Sequence, residues 1–425
     1  MARVEEVDGP DHLDPFGLDD PYPVYQRLRE HHPVHLASTG NWLITRYDHC
    51  LEVLHGAGWS NDVRRSEAYR SLVEADPGSP LAEELSERSF LFLDPPDHDR
   101  LRAVVAPAFS VRAVARRRAR VNEVVHALVD ALAGAGRFDV VADLALPLSV
   151  ATIGDLLGVP RQDHGLLLGW REEERRPRQE AMQGERSAGA DGGITVSTSA
   201  LEGRRAAQRS LSDYFRDLLA ASRRLSSAPP VISLLAQGVT AGRLSETEAI
   251  LTCRLLLVAG HETTVGLIGN AINALFDHPV ELARLRAGPG LDMRAVDELL
   301  RYDSPLQMVG RFAVRDVVVA GTTIPAGAAA LVVLGSANRD DRRFPDAERL
   351  DVARADNRHL AFGHGVHACI GASLARTEGL AALNAIVHRF SGLQPAGSPI
   401  RSGDPVVRSF RSLPLEFGGV ATTSP

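Results

Sequence analysis

Cys369 lies in HLAFGHGVHACIGASLAR, His359 to Arg376, a glycine-rich loop that opens into a helical pattern. At a helix N-terminus, unpaired N–H groups and the positive end of the dipole favour a thiolate, the form of cysteine that binds a metal. Gly363, Gly365 and Gly371 would let the backbone turn tightly and approach a flat ligand with no Cβ in the way. The plain alternative is a buried cysteine acting as a small hydrophobe beside a turn.

A second such stretch is AGHETT, Ala259 to Thr264, inside a long apolar run. Leu256, Ala259, Gly260 and Thr263 recur at i, i+3, i+4 and i+7, so they share one helix face with small residues in its middle. Thr263 can hydrogen-bond back to a carbonyl and loosen the turn, opening a groove for water. The pair His261–Glu262 begins H-E-x-x-H, but residue 265 is valine, so a zinc-protease site fails. ELLR, Glu298 to Arg301, puts a carboxylate and a guanidinium on one helix face. In HDRLR, His98 and Arg102 stand one turn apart on a helix that starts just after Asp94-Pro95-Pro96. Arg311 follows in VGRFA.

These groups must be held by a helix-rich chain with a minority of strand. Long helical patterns run over Val111 to Gly134, Leu211 to Ser226, Glu246 to Phe276 and Gly371 to Phe390. In the last, Ala375, Gly379, Ala382 and Ile386 form a small-residue face suited to close helix packing. Val34 to Arg46 alternates around a Gly-Asn turn and predicts a hairpin, and Ala313 to Leu334, with VVVAG and AALVVL around TTIPAG, predicts another. Glu185 to Ala200 is Gly/Ser/Ala-rich and predicts a mobile loop.

At 425 residues and 44% hydrophobic composition the chain can bury a large core, expected as a single domain over 1–425. Net charge is −7, from 54 acidic and 47 basic residues, and all the basic ones are arginine. Without a sustained basic stripe, nucleic-acid binding is not expected. The acidic, proline-punctuated N-terminus lacks the basic start and apolar run of a signal peptide, so a cytoplasmic protein off the membrane is expected, as a monomer. Cys50, Cys253 and Cys369 are too few and too scattered for a disulfide framework or a zinc knuckle.

Phe362, Gly365, His367, Cys369 and Gly371 match F-x-x-G-x-[HR]-x-C-x-G, and on this motif the chain resembles the cytochromes P-450, the haem-thiolate monooxygenases. The other four motifs occur where that family would have them. The resemblance implies the family's mostly helical fold with a small β region and haem b buried between the helix of Thr263 and the helix after Cys369. It implies Cys369 as the axial iron ligand, contacts to the haem from Ala259, Gly260, Phe362, Gly365, His367 and Gly371, and His98, Arg102, Arg311 and His359 as donors to its propionates. Glu262 and Thr263 would relay protons. Glu298, Arg301 and Arg349 would form a buried structural network, although Ala347 and Asp341 stand where the family often has proline.

The implied reaction inserts one atom of O2 into a mid-sized, largely hydrophobic small molecule, or couples it oxidatively, as in secondary metabolism. Phe90, Phe92, Leu256, Ala259, the stretch Gln307 to Val309 with Met308, and Phe410 would line its pocket. No GxGxxG opens a helix after a strand and no flavin domain is visible, so NAD(P)H would act only indirectly, through a ferredoxin and its reductase. A ferredoxin is usually acidic, which marks Arg112, Arg116 and Arg117 as a docking patch. The alternative class is a non-catalytic haem-binding or sensing protein of the same fold. A hydrolase is not supported, because no G-x-S-x-G is present.

Overall fold

The computed structural model describes residues 13–76, 89–173, 198–222, 230–288 and 292–421. The axis of the fold is the helix Glu246–Asp277. Its start is fixed by a capping box, in which Ser245 Oγ accepts the Glu248 N–H at 3.1 Å and Glu248 Oε2 accepts the Ser245 N–H at 2.7 Å. From Thr264 on, this helix is buried almost all round. Leu146–Leu157, Val111–Ala131 and Ala372–Arg389 pack around it in two contiguous apolar cores. Close approach needs glycine at two crossings. A Cβ on Gly379 would lie 2.7 Å from Leu267, and one on Gly260 would lie 2.6 Å from Ile153.

Two stretches, Val140–Leu157 and Glu246–Asp277, are long and apolar enough to cross a membrane, but both are two-thirds buried inside the protein. They read as core helices. The four long helical patterns are all present, with the second extended to Thr198–Ser222. Of the loop expected at 185–200, residues 185–197 lie outside the described residues and Thr198 to Ala200 open that helix.

The strand part is small. β1 (Val34–Leu36) and β2 (Trp42–Ile44) form the expected hairpin, with Val34 opposite Ile44. β3 (Trp59–Ser60) lies at the other edge of the same five-stranded sheet, and β4 (Arg137–Asp139) pairs elsewhere, with Pro414–Glu416. The second expected hairpin is corrected. β5 (Val309–Ala313) pairs antiparallel with β8 (Ala329–Val332), while β6 (Val317–Val319) and β7 (Thr322–Ile324) make their own small hairpin. Ala320 and Gly321 both take positive φ, 50° and 81°, so the tight turn falls there and TTIPAG contributes a strand rather than the turn. β8 also runs parallel to β2, giving the order β1-β2-β8-β5-β3. Arg311 on β5 is thereby anchored on the central part of that sheet.

Candidate functional site

Cys369 precedes the helix Ala372–Arg389, whose N-cap is Gly371. Its backbone N–H donates to Phe362 O at 2.8 Å, which closes the glycine loop on itself. Gly365, at φ 75°, could carry no side chain, since a Cβ would sit 2.9 Å from Leu54 O. On the other flank, Arg102 of the helix Asp97–Val105 donates to Ala368 O at 2.7 Å. The cysteine is exposed, yet protein encloses it closely enough that burial raises its thiol above the ordinary value. The N–H of Gly371 and the charges of Arg102 and Arg376 pull the other way. The Gly371 N–H at the helix end favours the thiolate, as expected, but burial outweighs it.

Near the middle of Glu246–Asp277, Val258 and Ala259 are exposed and Glu262 and Thr263 half-buried. Thr263 Oγ1 donates to Ala259 O at 3.0 Å, as expected, but the helix runs on unbroken through this turn. The stripe read as one face is divided. Ala259 and Thr263 border open space, whereas Leu256 is in the core and Gly260 faces Ile153. Gly260 thus lets this helix pack closely on Ile153.

Three basic groups converge, and among the described residues only His98 meets a carboxylate, that of Asp99. Arg311 is only 6% exposed, and within the described residues its one hydrogen bond goes to Gly310 O. Burial pushes its guanidinium down to about 10, against the pull of Asp94. His98 Nδ1 meets Asp99 at 2.7 Å, while its buried Nε2 has no partner. The His98 and His367 rings stand 4.3 Å apart, and His367 Nδ1 is also buried without a partner. Burial, with His98 and Arg311 nearby, pushes His367 down to about 4. Buried donors without acceptors are costly unless a ligand completes them. Haem answers this set. Its two carboxylates would meet Arg311, Arg102 and His98, and its iron would meet the Cys369 sulfur. Gly371, whose Cβ would stand 3.8 Å from that sulfur, leaves the approach free.

Several sequence expectations are corrected. His359 does not face that set, because its Nε2 meets Asp297 at 3.3 Å and its Nδ1 accepts the Ala361 N–H at 3.2 Å. Glu298 and Arg301 are fully buried and doubly bonded, at 2.8 and 2.9 Å. The third member is not the side chain of Arg349, which offers Arg301 only its carbonyl, at 3.0 Å. Arg354 takes the place, its Nε within 3.1 Å of both Glu298 oxygens. Ala347, where proline was expected, serves through its carbonyl, 2.7 Å from Arg301.

Phe90, Leu256 and Phe410 belong to the apolar cores, and Phe410 lies under Arg401 at 3.7 Å. Met308 is buried, Val309 is half-buried at the start of β5, and Phe92 and Ala259 are exposed. Phe362 carries Arg376 over its ring at 4.5 Å. Of the arginines marked for docking, Arg112 and Arg116 are exposed, but Arg117 turns inward to Asp155 O. Sequence reading missed Arg354, Asn357, Arg376 and Asp297. The loop 342–358 holds five arginines, and nothing in their spacing distinguishes the one that reaches Glu298.

Comparison with known proteins agrees with this geometry. The family profile described as Cytochrome P450 matches residues 291–411. The cytochrome P450 monooxygenase PikC of Streptomyces venezuelae is 38% identical over 409 residues, covering 94% of this chain and 91% of that protein. The cyclomarin C epoxidase CymV of Salinispora arenicola is 35% identical over 393 residues, covering 92% and 94%. The crystal structure of CalO2 superposes with a TM-score of 0.82 at 31% identity, covering 94% of this chain and 96% of that one. A thiolate loop, an unmatched basic set and full-length similarity to such enzymes lead to one conclusion: the chain belongs to the cytochrome P450 family.

Proposed function

We propose that this haem b monooxygenase holds its iron through Cys369 alone, seats the two propionates on Arg102, Arg311 and His98, and takes its electrons from a ferredoxin served by an NAD(P)H-dependent reductase. The observation that carries the reading is the buried basic set, with orphaned nitrogens on His98 and His367 and an unmatched Arg311, beside an exposed cysteine. Bound there, haem supplies the oxidation that inserts one atom of O2 into the substrate.

The chain's residues bind, orient and meter protons. The Phe362 carbonyl and Arg102 fix the cysteine's backbone from two sides, so that the sulfur keeps one position. Thr263 and Glu262 border the cleft, and Thr263, bonded to Ala259 O, can turn its hydroxyl to hold water and pass a proton. Val258, Ala259 and Phe92 are exposed apolar residues, which suits a largely hydrophobic small molecule of secondary metabolism. Arg112 and Arg116, one turn apart and without an ion pair among the described residues, suit an acidic electron donor. Burial of the two long apolar helices favours a cytoplasmic enzyme.

Reduced protein under carbon monoxide should give the red-shifted Soret band of a thiolate ligand, and Cys369→Ala should abolish it. A variant that kept the band would end the assignment. Thr263→Ala should retain haem and substrate binding while diverting reducing equivalents to hydrogen peroxide, and unchanged coupling would remove Thr263 from the proton path.

A further inference from the structure

Asp297 stands next to Glu298 on the helix Met293–Tyr302 but serves different partners. Its Oδ1 accepts from Arg376 Nε at 2.6 Å and meets His359 Nε2 at 3.3 Å. These two residues flank the cysteine loop in sequence, and both rest against one ring. The Arg376 guanidinium lies 4.5 Å from the centroid of Phe362, and the His359 ring lies 5.8 Å from it. Phe362 in turn accepts the Cys369 N–H at 2.8 Å. Asp297 therefore grips both ends of the loop through one oxygen, and it touches none of the groups that face the cleft.

The loop is bounded by two guanidiniums of unequal standing. Arg102, bonded to Ala368 O, has no carboxylate partner among the described residues. Arg376 does have one, in Asp297. Both members of that pair are about a quarter exposed, so each keeps an electrostatic reach that water weakens but does not abolish.

We propose that Asp297 is a positioning residue that sets the reduction potential of the cysteine-ligated haem by fixing Arg376 against the thiolate loop and offsetting its charge. This rests on the reading that Cys369 holds the iron. Reduction adds one electron, taken from the redox partner, to a centre that already carries a thiolate. Nearby positive charge favours the reduced form and negative charge opposes it. Asp297→Asn keeps the shape and an acceptor but deletes the negative charge, so the potential rises. Arg376→Gln deletes the positive charge and leaves Asp297 only His359, so the potential falls.

The test is a spectroelectrochemical titration of the holoproteins, with the carbon monoxide difference spectrum of each recorded alongside. The two single variants should shift the ferric–ferrous equilibrium in opposite directions, each by roughly tenfold. The double variant should return close to the parent, and Asp297→Glu, which keeps the charge, should stay near it. Shifts of the same sign in both singles, or no shift in either, overturn the proposal. Loss of the thiolate Soret band in Asp297→Asn also overturns it, because the residue would then merely hold the loop together. Failure of the ligand assignment shows separately, as a Cys369→Ala protein that keeps the band.

Discussion

Two buried polar clusters lie on either side of the cysteine loop, and they differ in how completely they are satisfied. Around Glu298, every carboxylate contact is answered, although Asn357 Oδ1 beside it is buried without a partner. Both carboxylate oxygens take bonds from Arg301 and Arg354, with further donors from Asp351 N at 2.9 Å and Asn357 Nδ2 at 3.2 Å. Arg301 also reaches the carbonyls of Asn338, Ala347 and Arg349. Around Arg311, His98 and His367, donors face space with no acceptor. A saturated network has nothing left to offer a ligand, so its work is to hold the chain. An unsaturated one costs free energy until something binds, and so marks the seat of a ligand.

Glu298→Ala attacks the saturated cluster and should have the largest effect. Two buried guanidiniums would lose their counter-charge, a loss on the order of 3–5 kcal/mol, enough to unfold much of the protein at 37 °C. The same comparison separates the two arginines. Arg354→Ala should cost more than 1 kcal/mol, because its Nε bridges both Glu298 oxygens. Arg349→Ala should be close to neutral, because its exposed side chain is unused and only its carbonyl serves the network. Urea melts of the three proteins check the order, and equal costs for Arg349 and Arg354 would return the role to Arg349.

Arg311→Met attacks the unsaturated cluster, and the sign should depend on the ligand. In the haem-free protein it removes a buried charge without a partner and fills the space with an apolar chain, which should stabilise by about 1–3 kcal/mol. In the haem-loaded protein it removes a propionate donor, so haem transfer to apomyoglobin should speed up. Destabilisation of both forms would mean that Arg311 is a structural cation like Arg301.

The parts legible in the sequence were those fixed by local chemistry. Cys369 with its glycines, the helix start at Asp97 and the pair Glu298–Arg301 are each specified within a few residues. What escaped depends on contacts between distant segments. His359 pairs with Asp297, 62 residues away, and Arg354 reaches Glu298 across 56, so no spacing rule points to either. The pocket residues depend on packing in the same way. Phe90, Leu256 and Phe410 are apolar residues near the site in sequence, but burying a large apolar side chain in a core is worth as much as lining a cleft, and only packing decides which occurs. The second hairpin was misread because two turn signals, Ala320-Gly321 and Pro325 to Gly327, lie within one short strand of each other.

The smallest expected effect lies on the helix after the cysteine, where Glu378 breaks the rule drawn from the other two clusters. It is 2% exposed, its Oε2 has no partner, and it lies among the buried residues of Ala372–Arg389 rather than at the cleft. Burial alone raises its carboxyl well above the ordinary value, so the folded protein keeps it neutral where the unfolded chain has ionised it. Between those two pKa values the native state holds the extra proton, and stability must fall as pH rises. Glu378→Gln is neutral at every pH and removes that slope. The variant should match the parent in acid, near the unfolded carboxylate value, and exceed it by a growing margin as pH rises to 8. Thermal melts from pH 5 to pH 8 read the difference. A gap that stayed constant across this range, or reversed, would mean that Glu378 is ionised and satisfied in the folded protein, and that unpaired carboxyl oxygens here mark a bound partner after all.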